Sequence, residues 1–151
     1  MSMRGKVFLV TDGASRGNPG PSAVGFGIYD EDWAPLEEHA DCIGVATNNE
    51  AEYKALIKGL HECVKYCKGE VEHFTDSKLL AKQAIREWVV RAPNLKPLAA
   101  EVSRTKMKFE RVIHTYVPRT NPKIQRIDEL VNKRLNSLLA KRLDIQPFKP
   151  E

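Results

Sequence analysis

The sequence predicts an α/β protein built on a five-stranded mixed sheet with helices packed on it. Three apolar, β-rich runs come first and are joined by short connections, which is typical of an antiparallel meander. The rest of the chain alternates helical and strand patterns, and such alternation favours parallel pairing through crossover helices. The element order is βββαβααβα, and we expect residues 1–151 to form a single domain, because a chain of this length can bury its own core.

The predicted strands are short and are separated by turn-forming residues. They cover residues 6–11, 23–30, 36–45, 71–75 and 110–117. The first run ends at Asp12 and leads into GASRGNPGP, a segment rich in Gly, Pro and Asn. The EDWAP segment is short enough to be a hairpin connection between the second and third strands.

Helical patterns fill the intervening segments. They cover residues 47–67, 77–89, 94–108 and 124–143. The first helix is expected to stop at Lys68 and Gly69, because a basic last turn followed by Gly is a common helix end. Pro93 breaks the chain before the third helix, which Asn94 is expected to cap.

The two ends of the chain carry little structural signal. The N-terminus lacks the basic start, long apolar run and small-residue cleavage site of a secretory signal. We expect residues 1–3 to be a disordered start and residues 144–151 to be a frayed tail, with Phe148 docking on the core. We expect no separate second domain, because the predicted elements leave no sequence to build one.

The composition fits a water-soluble protein, with 42% hydrophobic and 29% charged residues. No run approaches the roughly 20 apolar residues that a membrane helix needs, which excludes membrane-spanning functions. The three cysteines form no disulfide framework, which indicates a reducing compartment. We therefore expect a cytoplasmic protein that acts as a monomer.

His61, Cys63 and Cys67 are close enough in sequence to suggest a zinc site. However, Cys63 and Cys67 are four residues apart within an apolar helical stripe. This spacing favours two buried small side chains over a pair of zinc ligands.

The net charge of +4 is distributed unevenly along the chain. Residues 96–142 contain 12 basic and 4 acidic residues, whereas residues 1–95 contain 11 basic and 14 acidic residues. A local basic excess suggests a polyanionic partner, although a solvated helix face would explain it equally well.

Two acidic residues end apolar strands. Asp12 has the same parity as Phe8 and Val10, so its side chain points to the face on which those side chains lie. Asp76 follows a later strand on the side of Phe74. An acid in such a position could also cap the following helix.

Two further acids lie on apolar helix faces. Because successive helical residues are about 100° apart, Glu52 lies within the stripe of Leu56 and Leu60, while Glu50 falls on the polar side. Asp128 also lies in an apolar stripe, that of Ile124, Val131, Leu135 and Leu139.

Glu50 has a structural role of its own in this pattern. Thr47 and Glu50 fit the capping box S/T-x-x-E, in which the glutamate reaches back to the amide of the capping residue. Glu50 also faces Lys54 one turn later, which is a favourable surface pair. The pattern therefore predicts that Glu50 starts the helix and leaves Glu52 for chemistry.

An ionised carboxylate that faces a core costs several kcal/mol unless it has partners. A basic partner for each acid is one solution, and convergence of all four acids on divalent cations is another. Such oxygen ligands suit Mg²⁺ or Mn²⁺, and two ions together can promote phosphodiester cleavage. Without metal the acids would raise one another's pKa, so metal binding should depend on pH.

Four ordered sequence blocks are similar to those of the type 1 ribonuclease H family. They are VTDGASRGNPGP, TNNEAEY, FTDSKLL and IDELVNKRL. Each block alone would be weak, but four in order, over nearly the whole chain, are highly specific. The resemblance implies a ribonuclease H-like fold and a catalytic, metal-binding set, namely Asp12, Glu52, Asp76 and Asp128.

The resemblance also implies an activity. As a member of this family, the protein would be an endonuclease that uses two Mg²⁺ ions, or Mn²⁺ as a substitute, to cut the RNA strand of an RNA–DNA hybrid. It would leave 3′-hydroxyl and 5′-phosphate ends. The helical positions of Glu52 and Asp128 single out the same two acids independently of the resemblance.

Substrate contacts are implied by position in the same blocks. The residues concerned are Asn18, Thr47, Asn48, Asn49, Lys78 and Asn94. The three amides at Asn18, Asn48 and Asn49 match positions that contact the minor groove and its 2′-hydroxyls, a task that suits groups able to donate and accept. Thr47 and Asn94 match a pocket for a DNA phosphate, and the lysine could contact another phosphate. Each also has a structural alternative as a turn former, helix cap or solvated side chain.

The chain departs from the family pattern in three places. The loop before the last helix lacks a histidine, and Arg119 is the nearest substitute by position. Since a guanidinium cannot easily act as a base, phosphate or product handling is its expected role, while His114 is expected to be a core or surface residue. The short segment WVVRAPN replaces an extended basic loop, so hybrid affinity would rest on the basic excess of residues 96–142. Gln125 stands where the family leads us to expect Asn.

Two other functions are compatible with the sequence. One is a non-catalytic module that binds hybrid or double-stranded RNA, although a pure binder has no reason to direct acids toward phosphates. The other is a nuclease for a different duplex, such as double-stranded RNA, because one fold can serve several substrates. Cleavage assays on different duplexes would distinguish them.

Overall fold

The computed structural model describes residues 3–144. The strands are β1 (Arg4–Ser15), β2 (Gly20–Tyr29), β3 (Pro35–Ala46), β4 (Cys67–Thr75) and β5 (Arg111–Tyr116). The helices are α1 (Asn48–Cys63), α2 (Lys78–Ala84), α3 (Lys96–Lys106) and α4 (Pro122–Asp144). The strand order is β3-β2-β1-β4-β5, with antiparallel pairing among the first three strands and parallel pairing from β1 through β4 to β5. The predicted five-stranded mixed sheet is confirmed.

The end of α1 differs from the prediction. The helix stops at Cys63, and the stop predicted at Lys68 and Gly69 is wrong because both residues lie inside β4. Cys67 pairs with Arg4 of the neighbouring strand β1. Pairing with an adjacent strand therefore outweighs the local helical pattern in this segment.

The helix α2 is shorter than predicted. It ends at Ala84 rather than near Val89. The backbone amides of Glu87 and Trp88 both donate to the carbonyl of Lys82, at 2.9 and 3.2 Å, which closes the helix. The chain then continues without regular structure to α3.

Asn94 does not cap α3, so that prediction is also wrong. The capping position is occupied by Leu95, whose side chain makes no capping bond. The amide of Leu95 donates to the carbonyl of Ala92 at 3.0 Å. Residues 92–95 therefore form a turn of their own, and the helix begins beyond the reach of Asn94.

A hydrophobic cluster covers each face of the sheet. Val7 and Leu9 of β1 belong to the cluster beneath α1 and α3. Val10 belongs to the other cluster, which packs against Ile127 of α4. Because alternate strand residues point to opposite faces, Asp12 points to the side of α4. The helices α1 and α4 thus lie on opposite faces, and both contact β1.

Several expectations concern the chain ends and the cysteines. Residue 144 of the predicted tail belongs to α4, while residues 145–151, with the docking of Phe148, lie outside the described residues, as do the first two positions of the expected disordered start. Within residues 3–144, no helix has both the length and the apolarity to cross a membrane. Cys42, Cys63 and Cys67 are free thiols, and the predicted burial of the last two is confirmed.

Candidate active site

Two of the predicted acids meet where the parallel pairing of β1 with β4 ends. These strands are parallel neighbours, and their register pairs Val10 with Phe74. Two residues further on, Asp12 and Asp76 therefore lie level with each other and on the same side. Asp12 is 6% exposed. The capping alternative for Asp76 is wrong, because Ser77 caps α2.

Glu52 reaches the same place from α1. The helix starts with the predicted capping box, in which Thr47 Oγ1 accepts from the Glu50 amide at 3.1 Å and Glu50 Oε1 accepts from the Thr47 amide at 2.8 Å. Two residues later, Glu52 is only 9% exposed, and its Oε1 accepts a hydrogen bond from the Gly13 amide at 2.6 Å. The predicted inward orientation of Glu52 and the capping position of Glu50 are confirmed.

Gly13 is a site residue that the sequence pattern did not reveal. Within GASRGNPGP it resembles an ordinary turn former, but it lies inside β1. A Cβ at Gly13 would overlap the backbone of Ala51 and lie 2.7 Å from the amide nitrogen of Glu52. The close approach of β1 and α1 therefore requires a residue without a side chain. Its position directly after Asp12 was the only signal available in the sequence.

Gly13→Ala is expected to push α1 away from β1. Overpacking of this kind costs about 1–3 kcal/mol of stability. Displacing the Glu52 carboxylate by about 1 Å should also lower kcat on the order of a hundredfold. Thermal unfolding and single-turnover cleavage measure the two effects. Gly5→Ala is the matched control, because a Cβ there meets nothing within 4 Å; equal behaviour of the two variants would contradict the packing argument.

Asp128 lies at the same end of the molecule, but its predicted place inside the apolar stripe of α4 is wrong. The residue is exposed. The buried side chains of α4 include Ile124, Ile127, Val131 and Leu135. The centre of this stripe lies roughly 50° around the helix from Asp128, at about 100° per residue. Asp128 therefore projects from the edge of the stripe.

The four acids line one cleft of about 380 Å³, together with Arg119 and the side chains of Asn48 and Asn49. Carboxylate oxygens of Asp12, Glu52 and Asp76 lie within 4.8 Å of one another. Asp128 is not part of this tight group, but it lines the same cleft. The fold thus gathers three acids from β1, α1 and the end of β4 and adds a fourth from α4.

The electrostatics of the cleft follow from burial and like charge. Burial, followed by the charges of three neighbouring carboxylates, raises the pKa of Asp12 far above its usual range. Burial and then the charge of Asp76 raise the pKa of Glu52, although the Gly13 amide opposes the rise. Asp12 Oδ2 is buried and has no hydrogen-bond partner within the described part of the chain. A buried carboxylate oxygen without a donor fits a ligand for a hard divalent cation.

Arg119 lies in the loop between β5 and α4. Its Nε is 3.4 Å from Asp76 Oδ2, and its side chain is 91% exposed. Ion pairs with such an exposed partner are weak, so the guanidinium is able to leave Asp76 for an incoming anion.

The predicted amide residues form a polar edge beside the acids. Asn48 and Asn49 line the cleft directly. Asn18 does not line it but accepts a hydrogen bond from the Asn48 amide through its Oδ1, at 3.0 Å. In turn, Asn48 Oδ1 accepts from the Ser15 amide at 3.1 Å. These bonds join the loop between β1 and β2 to the start of α1.

Thr47, Lys78 and Asn94 lie outside this cleft. The Thr47 side chain accepts the capping bond of α1. Its backbone amide is the main cause of the lowered pKa of Glu50, to which the side chain of Asn94 also contributes a hydrogen bond. Thr47 and Asn94 therefore flank the same carboxylate at the start of α1. Lys78 is the exposed first residue of α2.

Two histidines are buried beneath the site. His73 Nε2 lies 2.7 Å from Thr11 Oγ1, and His73 Nδ1 lies 2.9 Å from His114 Nδ1. Burial lowers the pKa of both histidines, so they are neutral at physiological pH. Of the two alternatives for His114, the core placement is correct, and this residue does not take the place of a loop histidine.

The fold and the acidic cleft agree with a known protein family. The RNase H family profile matches residues 4–146. The chain belongs to the ribonuclease H family. The predicted ribonuclease H-like fold and the resemblance to the type 1 ribonuclease H family are therefore confirmed.

Two curated relatives show how much of each protein this chain spans. Ribonuclease HI from Halobacterium salinarum is 38% identical over 132 residues, which cover 87% of this chain and 65% of that protein. A bifunctional protein from Mycobacterium tuberculosis is 40% identical over 115 residues, which cover 76% of this chain and 32% of that protein. The chain therefore spans about a third of the mycobacterial relative and just under two thirds of the halobacterial one.

Solved structures of the family match over almost their full length. RNase H1 from Halobacterium salinarum has a TM-score of 0.83 at 37% identity, covering 88% of this chain and 99% of that one. LC11-RNase H1, solved in complex with an RNA/DNA hybrid, has a TM-score of 0.81 at 36% identity, covering 88% of this chain and 99% of that one.

Proposed function

We propose that this chain is a divalent-metal-dependent endonuclease that hydrolyses the RNA strand of RNA–DNA hybrids and leaves 3′-hydroxyl and 5′-phosphate ends. The observation that carries the proposal is the convergence of Asp12, Glu52 and Asp76 within 4.8 Å in a chain of this family. The relative LC11-RNase H1 has been solved with an RNA/DNA hybrid. Four acids in one cleft also favour catalysis over simple binding, because unscreened carboxylates repel phosphates.

The four acids would hold two Mg²⁺ ions. Oxygen-only ligands suit Mg²⁺, and a buried carboxylate cluster needs compensating positive charge. Mn²⁺ would substitute because it prefers the same ligands. When bound, such ions activate a water nucleophile and neutralise charge on the leaving oxygen.

The residues of the chain prepare the site for this chemistry. The Gly13 amide holds one oxygen of Glu52 and thereby orients the carboxylate. The raised pKa values of Asp12 and Glu52 mean that cation binding is coupled to proton release. Arg119 would move from Asp76 to the phosphate of the substrate or product, where its fixed positive charge favours anion binding.

Recognition of the hybrid would use the polar edge beside the cleft. The amides of Asn18, Asn48 and Asn49 would contact the minor groove and the 2′-hydroxyls, which distinguish RNA from DNA. Thr47 and Asn94, which lie together at the start of α1, would grip a phosphate of the DNA strand. Lys78, two residues after an acid of the cleft, would contact another phosphate.

The origin of the four acids and the state of the cysteines bear on the oligomeric state and the cellular compartment. We infer that it acts as a monomer, because one chain supplies all four acids. Three free thiols support a reducing compartment, and we propose the cytoplasm.

The test is a cleavage assay on three labelled duplexes of one sequence: RNA–DNA, RNA–RNA and DNA–DNA. With Mg²⁺ or Mn²⁺, the RNA strand of the hybrid is expected to be cut to products with 5′-phosphates, and EDTA should stop the reaction. Failure of pure protein to cut the hybrid with either metal would overturn the proposal. Faster cleavage of RNA–RNA would instead assign the enzyme to a different substrate.

A further inference from the structure

Arg16 connects the loop between β1 and β2 to α4 through a contact that the proposed mechanism does not use. Its Nη2 donates to the Oδ1 atoms of Asn132 and Asn136, each at 3.0 Å. Residues four apart on a helix lie on one face, and a guanidinium nitrogen carries two hydrogens. Both bonds can therefore form at once, and two neutral amides tie the guanidinium to the helix.

The helix is the fixed side of this contact. Asn132 Nδ2 donates to the Asp128 carbonyl at 3.0 Å, which orients the amide so that its Oδ1 faces Arg16. α4 is itself held against the sheet by Ile127 and Val131, both fully buried. The element that gains order from the contact is therefore the loop, residues 16–19.

The other side of the loop is tied to α1. The Arg16 amide donates to the Pro21 carbonyl at 2.7 Å and closes the loop. Asn18, at the tip, accepts from the Asn48 amide at the start of α1. The four-residue loop thus bridges two helices on opposite faces of the sheet, with Arg16 as its anchor to α4 and Asn18 as its anchor to α1.

We propose that Arg16 is a positioning residue that holds this loop in the conformation that presents Asn18 to the hybrid. That the ligand is an RNA–DNA hybrid rests on the proposed function, whereas the contact between Arg16 and α4 does not. Without the anchor, the loop would have to be ordered when the hybrid binds, and that entropic cost lowers affinity. The acids are not touched by Arg16, so the chemical step should be preserved.

Steady-state kinetics test the role of Arg16. Arg16→Ala and the double variant Asn132→Ala/Asn136→Ala are each expected to raise KM about tenfold and to leave kcat within about twofold. The triple variant should be no worse than Arg16→Ala alone, because all three residues serve one contact. Arg4→Ala removes the same charge at the far end of β1, and Ser137→Ala alters α4 without touching the loop. Both controls should keep the wild-type KM.

A direct phosphate contact by Arg16 would give a different pattern. The asparagine variants would then be silent, and the slope of log affinity against log salt would fall by roughly 0.7–0.9 in Arg16→Ala alone. That pattern would overturn the proposal.

Hydrogen exchange tests the anchor without any substrate. The Asn48 amide, which is bonded to Asn18, should exchange faster in Arg16→Ala and in the double asparagine variant than in the wild type or either control. Unchanged exchange would overturn the anchor. A wild-type protein that fails to cut hybrids would count against the proposed function, while the exchange result would still decide the role of Arg16.

Discussion

Glu52→Gln is expected to abolish cleavage, lowering kcat by at least about a thousandfold, while the metal-free protein becomes more stable. Gln keeps an oxygen for the Gly13 amide, so the position of α1 should not change. Its neutral amide is a weaker ligand for Mg²⁺, and metal assistance is worth several kcal/mol, at about 1.4 kcal/mol per tenfold in rate. Stability should rise because burial and the charge of Asp76 disfavour the ionised form of Glu52 in the folded protein.

Glu50→Gln is the matched control, two residues away in the same helix. Its pKa is lowered mainly by the Thr47 amide, which shows a carboxylate engaged in capping. Gln retains an acceptor for that amide, so we expect a cleavage rate within about twofold of the wild type and a loss of at most about 1 kcal/mol. Single-turnover rates with Mg²⁺ and thermal unfolding in EDTA measure both variants. If the effects of the two substitutions were exchanged, the helical-phase argument would be refuted.

Asp12→Asn is expected to remove activity as completely as Glu52→Gln does. It is also expected to raise the Tm of the metal-free protein by a few degrees at neutral pH. Asp12 contributes a buried oxygen with no protein donor, so its charge is costly until a cation binds. The neutral amide relieves that cost and also relieves the repulsion with the neighbouring acids. In the wild type, Mg²⁺ should restore stability because binding to the folded state is linked to folding, whereas the variant should respond little.

The stability gained by Asp12→Asn should depend on pH. Because folding raises the pKa of Asp12, the folded wild type retains a proton that the unfolded chain loses above about pH 4. Wild-type stability therefore falls as the pH rises from about 4 toward the raised value, and the variant lacks this part of the decline. The difference in Tm between variant and wild type, measured in EDTA, should grow between about pH 4 and 8.

Asp32→Asn supplies the control for this titration. Asp32 is exposed in the connection between β2 and β3. Its substitution should give only a small Tm difference, because the side chain is exposed. A difference for Asp12→Asn that shrank as the pH rose would contradict the assignment of a raised pKa to Asp12.

Local periodicity was sufficient to orient Asp12, Glu50 and Glu52. Because side chains alternate in direction along a strand, the segment KVFLVT predicted that Asp12 lies on the face of Val10. The helical period predicted that Glu52 points inward and that Glu50 occupies the capping-box position. These predictions succeeded because the direction of a side chain relative to its own strand or helix follows from backbone geometry that every sequence shares.

The same approach failed where a neighbouring element decided the outcome. Lys68 and Gly69 resemble a helix end, but pairing with β1 draws them into β4. Asn94 resembles a helix cap, but a turn at residues 92–95 moves the start of α3. Hydrogen bonds to partners distant in sequence have no local signature, so patterns of a few residues cannot predict them.

By itself, the sequence determined the element order, the four acids and the family to which their blocks are similar. Only the tertiary structure decided that Asp12, Glu52 and Asp76 form one tight group, whereas Asp128 is exposed and lies outside it. It also revealed that Gly13 holds Glu52 and that Arg16 joins a loop to α4. The physical reason is that periodicity sets the direction of a side chain within its own element. Distances between elements are set by the packing of two helices on opposite faces of one sheet, which involves residues from the whole chain.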